Sequence, residues 1–410
     1  MDFRDGGQKG DDTGGATDTA AVAHDWSVVG EAASQRVGDG GLLVLDLDDG
    51  GSGLGMHGLV IGAPAAEGGS GAVAVHLAPE SERAVPFSAG YALIRGAEGE
   101  GLGSAVVLLQ DPVLGPSLAI GATNAEGSSG TESGAVAIVS QAVVEGPIPL
   151  PALESSRVRG SRWHGDFGAS LATADVDGDG RSDLIVGAPK ESFEAGRVYL
   201  FTADEVAASA DSGDATGQAG DMAAFDFLGT SVAAGGDVDG DGIDDVVVGA
   251  PGFDADGNRS GEGGCAVLSG AAWAAAGEVS TRDFAMAFVV GDGEDDRLGD
   301  GAHSLALADT DGDDRADLLV GVPSADRSVT DGGGAALFSG GSLAGTLAIS
   351  EAGLVLGGTG EAGSSVGALF GANGGSLLFI GAPLADGQGR RLRLYVADAL
   401  VSDADVGHDD

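Results

Sequence analysis

The segment Phe167–Pro189 reads FGASLATADVDGDGRSDLIVGAP and contains the two patterns that organise the chain. Short runs rich in Val, Ile, Leu and Ala, typical of strands, flank a stretch of aspartate and glycine. Neither run keeps the 3.6-residue period of an amphipathic helix. The segment therefore predicts two strands joined by an acidic loop.

The end of this segment, an apolar run followed by Gly-Ala-Pro or a near variant, occurs six times. The glycines of the six copies stand at positions 62, 121, 187, 249, 321 and 381, so the spacing is 59 to 72 residues. A third apolar run, such as 196–201, follows each copy, and a fourth, such as 91–94, precedes the next one. Four-stranded units repeated around an axis are the blades of a β-propeller.

We therefore predict an all-β fold with a single β-propeller of four-stranded blades over residues 21–400, six blades being favoured and seven the alternative. The sixth repeat lacks a fourth apolar run, whereas residues 24–30 stand before the first repeat where such a run would stand. This N-terminal strand is predicted to complete the last blade. Residues 1–20 are predicted to be a disordered leader, and residues 401–410 an acidic tail.

Composition limits the classes of partner. The 410 residues include 77 glycines, which tight turns and crowded inner strands explain, and 43% hydrophobic residues, too many for a disordered acidic chain. The 19 basic and 64 acidic residues give a formal net charge of −45. This charge disfavours nucleic acid and anionic membranes, and it favours cations. No apolar run approaches the roughly 20 residues of a membrane span.

The single cysteine, Cys265, excludes an internal disulfide framework and is expected to pack as a small apolar group. The polar N-terminus shows no basic region followed by an apolar one, so no export signal is visible. The chain is then either intracellular or one that follows a removed signal.

The acidic loop recurs in three repeats, always between the first and second strands, with aspartate at positions 1, 3, 5 and 9. Such an all-oxygen set, with a backbone carbonyl at position 7, fits calcium better than magnesium. The alternative, a solvated Asp/Gly turn, is weakened by three copies in register. The predicted ligands, for about three structural calcium ions, are Asp175, Asp177, Asp179, Arg181 and Asp183 in loop 1, Asp237, Asp239, Asp241, Ile243 and Asp245 in loop 2, and Asp309, Asp311, Asp313, Arg315 and Asp317 in loop 3.

Two features depart from this pattern. At position 6 loops 1 and 2 have glycine, which permits a sharp turn, but loop 3 has Asp314, which leaves its geometry open. The second and sixth repeats keep too few oxygen ligands, whereas the first, with Asp46-Leu47-Asp48-Asp49-Gly50, leaves a metal site open although the loop disfavours it. In the second repeat the four positions hold Leu109, Asp111, Val113 and Ser117.

The repeat that contains loop 1 resembles the FG-GAP repeat of the integrin α-subunit head in Phe167-Gly168, in the aspartates of loop 1 and in Gly187-Ala188-Pro189. The resemblance extends over about residues 24–397. It implies a β-propeller with calcium in loops on one face, in extracellular or cell-surface proteins that bind proteins or cell surfaces. Integrin heads have seven blades, whereas six repeats are counted here. No integrin leg or transmembrane segment follows, so the chain is more similar to a stand-alone, bacterial-type FG-GAP protein.

The favoured function is an extracellular binding or adhesion scaffold with structural calcium and an unknown protein or cell-surface ligand, without nucleic acid or membrane insertion. It would act as a monomer or as a module of a larger assembly. Its ligand face would be built from loops, and the segment 249–321 is the longest candidate. An enzyme is not expected, because no phosphate-binding loop occurs and the histidines show no metal-ligand spacing.

Two alternatives stay open. One is a propeller-fold lyase or hydrolase, for which His164 and His303, just upstream of inner strands, are the candidate residues. The other is a purely structural propeller module from a larger surface protein.

Overall fold

The computed structural model describes residues 27–29, 42–46, 57–77, 84–86, 92–111, 115–128, 132–140, 146–149, 154–255, 261–293, 296–301, 304–324, 333–358, 365–370, 376–383, 390–396 and 405–406. Short strands dominate these residues, as the sequence predicts. Up to loop 1 the strands are β1 (Ser27–Val29), β2 (Leu42–Asp46), β3 (His57–Ala63), β4 (Ala72–Leu77), β5 (Ala84–Pro86), β6 (Ala92–Arg95), β7 (Leu102–Leu109), β8 (Ser117–Ala122), β9 (Ala135–Ser140), β10 (Gly146–Pro149), β11 (Glu154–Arg159) and β12 (Ser170–Ala174).

After loop 1 the chain continues with further short strands and a few single-turn or two-turn helices. The strands are β13 (Asp183–Ala188), β14 (Arg197–Phe201), β15 (Gly217–Gly220), β16 (Val232–Ala234), β17 (Val246–Ala250), β18 (Gly264–Leu268), β19 (Glu278–Ser280), β20 (Ala287–Val290), β21 (Leu305–Ala308), β22 (Asp317–Val322), β23 (Gly334–Phe338), β24 (Gly345–Ala348), β25 (Leu354–Gly358), β26 (Ser365–Phe370), β27 (Ser376–Pro383), β28 (Arg390–Val396) and β29 (Asp405–Val406). The helices are α1 (Ala66–Gly69), α2 (Glu191–Glu194), α3 (Ala203–Ala208), α4 (Gly270–Ala276) and α5 (Thr281–Phe284), with 3-10 turns at Gly340–Ser342 and Ile349–Glu351.

Each repeat forms one antiparallel sheet in chain order, which confirms the all-β prediction. The four-stranded orders are β2-β3-β4-β6, β7-β8-β9-β11, β12-β13-β14-β15, β16-β17-β18-β20 and β21-β22-β23-β25. The sixth sheet, in the described part of the chain, has the three strands β26-β27-β28. Four strands per repeat are therefore present in five repeats.

The sheets follow one another through their first strands. The strand pairs in contact are β2 and β7, β7 and β12, β12 and β16, β16 and β21, and β21 and β26. The apolar core lies between neighbouring sheets: one cluster joins Ile185 and Val198 to Val246, and another joins Val267 to Leu318 and Phe338. Cys265 is buried in the second of these clusters, as expected for a small apolar group. Stacked antiparallel sheets with adjacent first strands are the arrangement of propeller blades.

An added parallel strand at the outer edge of the sheets was not predicted. The fourth strands β6, β15, β20 and β25 pair in parallel with β10, β19, β24 and β29, and β11 makes the equivalent bridge from Arg159 to Asp211. In each case the added strand belongs to the following repeat. Each repeat is thereby tied to its neighbour along the outer edge as well as along the first strands.

The N-terminal strand obeys the same relation. Strand β1 pairs in parallel with β5 of the first repeat, as a fourth strand of the sixth repeat would in a closed ring. The described pairings do not include one between β1 and β28, so closure and the number of six blades stay predictions. Residues 1–20 lie outside the described residues. Within 401–410 the described residues form β29.

Glycine at the Gly-Ala-Pro position is required by a close approach between repeats. A Cβ on Gly187 would lie 2.2 Å from the carbonyl oxygen of Gly229 in the next repeat and 2.2 Å from Oγ of Ser170. The same Ser170 hydroxyl donates a hydrogen bond of 2.7 Å to that carbonyl. Any side chain at Gly187 would therefore push neighbouring sheets apart.

We expect the substitution Gly187→Ala to lower the free energy of unfolding by about 3 kcal/mol, because its methyl group meets backbone that cannot move alone. The matched control is Gly213→Ala, since a Cβ at Gly213 has no atom within 4 Å. Urea unfolding followed by circular dichroism measures both variants. Equal stability of the two variants would contradict the packing argument.

Candidate metal centres

The three acidic loops have the same internal hydrogen bonds. The carboxylate at position 1 accepts the N–H of position 6, and the carboxylate at position 3 accepts the N–H of position 5. In loop 1 these bonds are Gly180 N to Asp175 Oδ2 at 2.8 Å and Asp179 N to Asp177 Oδ1 at 3.1 Å. Loops 2 and 3 repeat both bonds at 2.8 to 3.2 Å. The aspartates therefore fold the loop backbone around themselves.

The position-9 aspartate links the loop to its sheet. Asp183, Asp245 and Asp317 are the first residue of the second strand or the residue before it, and they are 0%, 0% and 2% exposed. Their Oδ2 atoms accept the N–H of position 2 at 3.1, 2.8 and 2.9 Å. Position 9 therefore closes the loop from a buried position.

The second oxygen of position 9 makes a contact that sequence analysis missed. Oδ1 accepts, each time at 3.0 Å, the N–H of the first residue of the short helix after the third strand, namely Ala203, Gly270 and Gly340. The preceding residue is Thr202, Ser269 or Ser339. In all three repeats a Ser or Thr is followed by Ala or Gly at this place. This recurring pair could have indicated the helix start from the sequence, because Ser and Thr are common there. One buried carboxylate thus holds the loop, the second strand and a helix start together.

The structure brings together three of the four predicted carboxylates in each loop. One oxygen from each of positions 1, 3 and 9 lies within 4.8 Å of the others, giving the triads Asp175–Asp177–Asp183, Asp237–Asp239–Asp245 and Asp309–Asp311–Asp317. The position-5 carboxylates are not in these triads. Asp179, Asp241 and Asp313 instead accept the N–H of position 7 at 2.8 to 2.9 Å.

The charges in the triads are incompletely compensated by the protein. Burial and the nearby charge of Asp177 raise the pKa of Asp183 to about 7. Burial also raises the pKa of Asp245 to about 6. In loop 1 the Oδ1 atom of Asp175 is buried and has no hydrogen-bond partner. A hard cation that takes several oxygens would satisfy this atom and offset the repulsion, so the residues fit such an ion.

Loop 3 keeps the geometry of the other two although it has aspartate at position 6. Asp314 adopts φ = 67°, close to the 83° and 87° of Gly180 and Gly242. Aspartate is one of the few residues found in this left-handed region. The question that the sequence left open is therefore answered in favour of a third equivalent loop.

The second repeat has a different arrangement at the corresponding place. The guanidinium of Arg181, from position 7 of loop 1, lies 2.8 Å from Oδ2 of Asp111 and 2.6 Å from Oδ1 of Asp204. A protein cation therefore faces the one carboxylate that the second repeat keeps. The sequence pattern indicates a role only for the carbonyl group of Arg181, so this ion pair was not predicted.

The other candidates from the sequence are two histidines and one long segment. The His164 side chain is about half exposed, and its Nδ1 lies 3.9 Å from a carboxylate oxygen of Glu132. His303 lies outside the described residues. The segment 249–321 contains α4, α5 and loop 3 with its triad Asp309–Asp311–Asp317.

A search of the described residues for a helix long and apolar enough to span a membrane finds none.

Comparisons with known proteins agree with the repeat pattern. The FG-GAP repeat family model matches residues 167–201, 228–264 and 301–338. Human integrin alpha-IIb is 40% identical over 105 residues, which are 23% of this chain and 10% of that protein. Integrin alpha-4 of Xenopus laevis is 41% identical over 88 residues, which are 21% of this chain and 8% of that protein. The matched region spans about a tenth of the length of these curated relatives.

Among solved structures, a match described as "Structure of Dos1 propeller" has a TM-score of 0.38 and 10% sequence identity, and the match covers 85% of this chain and 76% of that one. The three matched segments of the family model each contain one acidic loop with its flanking strands. The chain therefore carries three FG-GAP repeats, and through them it is similar to integrin α subunits.

Proposed function

We propose that this protein is an extracellular, calcium-stabilised scaffold that binds a protein partner through the end of its sheets opposite the acidic loops. The observation that carries the proposal is the division of chemistry between the two ends. One end has three equivalent carboxylate triads, and the other has exposed aromatic side chains on strained loops.

Calcium is the ion that the loops suit. Calcium takes six to eight oxygen ligands, and each loop offers carboxylates from positions 1, 3, 5 and 9 and the carbonyl of position 7. The ligands would be those predicted from the sequence, namely positions 1, 3, 5, 7 and 9 of the loops that begin at Asp175, Asp237 and Asp309. When bound, the ion would neutralise clustered charge and stabilise the folded loops. Its role in this proposal is structural.

The aromatic end is defined by three side chains. Trp163, Phe193 and Phe225 are 70%, 89% and 51% exposed, and they are the exposed large hydrophobic residues of the described part of the chain. They stand in the loops 160–168, 189–196 and 221–229. Backbone hydrogen bonds join these loops, from Lys190 N to Gly165 O at 3.2 Å and from Phe227 N to Glu194 O at 2.9 Å. We call this the aromatic surface.

The aromatic surface lies far from the acidic loops. Loop 1 ends at Asp183, the first residue of β13, and the loop with Phe193 follows Ala188, its last residue. A six-residue strand separates its ends by roughly 17 Å. Calcium and partner would therefore occupy opposite ends of the same sheets.

Backbone strain is concentrated in the aromatic surface. Phe193 and Phe225 have φ = 62° and 73°, and Ser192, Glu194 and His164 are also in the left-handed region. Each such residue costs about 1–3 kcal/mol and persists only where its surroundings hold it, and such residues cluster at binding sites. Three exposed aromatic groups on strained loops that hydrogen-bond to one another are the reason for proposing an interaction surface rather than a structural module alone.

Charge indicates the chemistry of the partner. The net charge of −45 steers cationic molecules toward the protein, and aromatic faces attract Lys and Arg side chains. The Glu132 carboxylate beside His164 is two-thirds exposed and adds negative charge to this end. We therefore propose a protein segment in which basic residues stand next to apolar ones. No observation on the described residues favours the enzyme alternative.

The calcium part of the proposal predicts that calcium raises the midpoint of thermal unfolding and that EDTA reverses the change. An ion that binds only the folded state adds about 2.7 kcal/mol per site at a hundredfold excess over its Kd. The substitution Asp177→Asn should lower the number of bound ions from three to two in isothermal titration calorimetry, since it removes one member of a triad. The control Asp214→Asn makes the same charge change at an exposed position outside the loops. An EDTA-insensitive midpoint together with no heat of binding would refute the calcium part.

The binding part predicts that a phage-displayed random peptide library, panned on calcium-loaded protein, yields peptides with Lys or Arg beside apolar residues. Trp163→Ser combined with Phe193→Asn and Phe225→Asn should weaken their binding about tenfold or more, because exposed aromatic anchors carry much of an interface's energy. Asn tolerates the positive φ at both phenylalanine positions, so the unfolding midpoint should not fall. Selected peptides that bind the triple variant as well as the natural protein would rule out this surface.

A buried carboxylate beneath the aromatic surface makes stability depend on pH. Glu191 is 1% exposed; its Oε2 accepts the Tyr199 hydroxyl at 2.6 Å and lies 3.2 Å from Nε of Arg162, while its Oε1 has no partner. Burial raises the pKa of Glu191 from 4.5 to about 7. Between pH 4.5 and 7 the folded state therefore binds more protons than the unfolded chain. Protonation of Glu191 stabilises the folded state at low pH, and this stabilisation is lost as the pH rises through 7.

We expect Glu191→Gln to be more stable than the natural protein by up to about 3 kcal/mol at pH 8 and to approach it at pH 4.5, because glutamine keeps an oxygen for Tyr199 without the charge. Urea unfolding of both proteins from pH 4.5 to 8 measures the difference. A difference that does not change with pH would show that Glu191 does not titrate in this range.

A further inference from the structure

The three acidic loops contact one another in a row, through the same two positions each time. Positions 7 and 8 of each loop reach the start of the loop in the preceding repeat. Positions 1 and 9 and the carbonyl of position 7 are among the proposed calcium ligands. A contact from positions 7 and 8 to position 1 of the neighbour therefore joins one proposed site to the next.

Between loops 2 and 1 the contacts come from Ile243 and Asp244. The N–H of Asp175, at position 1 of loop 1, donates to Oδ2 of Asp244 at 3.0 Å, and the N–H of Asp244 lies 3.4 Å from the Asp175 carbonyl oxygen. The Ile243 side chain packs on Gly178, where a Cβ would lie 2.7 Å from Ile243 Cδ1. The backbone of a ligand residue in loop 1 is thus held by loop 2.

Between loops 3 and 2 the same positions act. The N–H of Ala316 donates to the carbonyl oxygen of Asp237 at 2.7 Å. The Arg315 guanidinium donates to the Val238 carbonyl oxygen at 3.2 Å and lies over Gly240, where a Cβ would be 2.6 Å from Nη2. Loop 3 therefore holds positions 1, 2 and 4 of loop 2.

The row of contacts continues from loop 1 to the second repeat, where the Arg181 guanidinium pairs with a carboxylate. The N–H of Ser182 donates to the Gln110 carbonyl oxygen at 3.1 Å, and the N–H of Gln110 donates to Oγ of Ser182 at 3.2 Å. Arg181, at position 7, forms an ion pair with Asp111, the residue after Gln110. Four repeats are thus connected through one set of contacts.

We propose that the three loops bind calcium cooperatively, because positions 7 and 8 of each loop order the ligand backbone of the preceding loop. This inference rests on the proposed calcium function. Calcium binding in one loop fixes the backbone at its position 7. The contacts described above then order position 1 of the neighbouring loop, so that this loop loses less conformational entropy when the next ion binds. Ile243 and Arg315 are positioning residues in this scheme, because their side chains are not calcium ligands.

The first test compares two variants of loop 3 by calcium titration calorimetry of EDTA-stripped protein. Asp311→Asn removes a triad ligand, whereas Asp314→Asn removes the same charge from a residue that is not in the triad. Asparagine tolerates the positive φ of Asp314. We expect Asp311→Asn to leave two sites with affinity lowered about fivefold or more, the lower end of typical coupling between sites. Asp314→Asn should keep three coupled sites.

The second test changes a side-chain contact and keeps every ligand atom, since position 7 would bind calcium through its backbone carbonyl. Ile243→Ala should still bind three calcium ions, but the Hill coefficient of its calcium titration should fall toward one. In EDTA, its midpoint of thermal unfolding should be the same as that of the control Val355→Ala. Ile243→Leu, which keeps the reach of the side chain, should restore cooperativity. Arg315→Gln keeps a donor for Val238 without the charge and should behave like the natural protein.

Two results would overturn the inference and leave calcium binding intact. One is a natural protein whose titration fits three independent sites, and the other is an equal loss of affinity in Asp311→Asn and Asp314→Asn, which would mean a charge effect alone. Absence of any calcium binding would instead overturn the proposed function itself, and the inference with it.

Discussion

The close approach of Gly121, Gly187 and Gly249 to the backbone of the following repeat is the contact on which the arrangement of these sheets depends. Added Cβ atoms at Gly121 and Gly187 would lie 2.1 and 2.2 Å from the carbonyl oxygens of Gly168 and Gly229. Those carbonyls also accept the hydroxyls of Ser104 and Ser170 at 2.9 and 2.7 Å. Because backbone atoms meet at these glycines, the first strands of successive sheets lie in contact. The apolar side chains then pack between the sheets.

The contact between successive sheets has a different consequence at each end of the sheets. At one end it places the acidic loops side by side, so that positions 7 and 8 of each loop reach the loop before it. At the other end it brings the loops with Trp163, Phe193 and Phe225 within hydrogen-bonding distance of their neighbours. Those contacts hold the backbone of Phe193 and Phe225 in left-handed conformations that isolated loops would leave. Rigidity made by the sheets is thus what allows strain at one end and crowded charge at the other.

The repeat pattern was sufficient to predict features that depend on local sequence. The strands on both sides of each acidic loop and the buried Cys265 follow from short runs of residues. Of the four carboxylates expected together in each loop, the structure groups positions 1, 3 and 9 but not position 5. Contacts between repeats were not predicted, because no periodic pattern shows which residue meets which across about 60 positions. The parallel pairing of β15 with β19, the Arg181–Asp111 ion pair and the position of Asp244 between two loops are of this kind. The left-handed turn at Phe193 was also missed, since the sequence there has no glycine to indicate it.

The opposite ends also decide how calcium and a partner can influence each other. Three calcium ions would offset only six of the 45 net negative charges, so most of the field that attracts a cationic partner would persist. Ions in loop 1 would lie at least the length of β13, roughly 17 Å, from the aromatic surface, and the screening length in physiological salt is about 8 Å. Direct electrostatic influence between the two ends is therefore small. Any effect of calcium on partner binding must act through the stability of the sheets, because the position-9 aspartates join the loops to the strands that hold the aromatic loops in place.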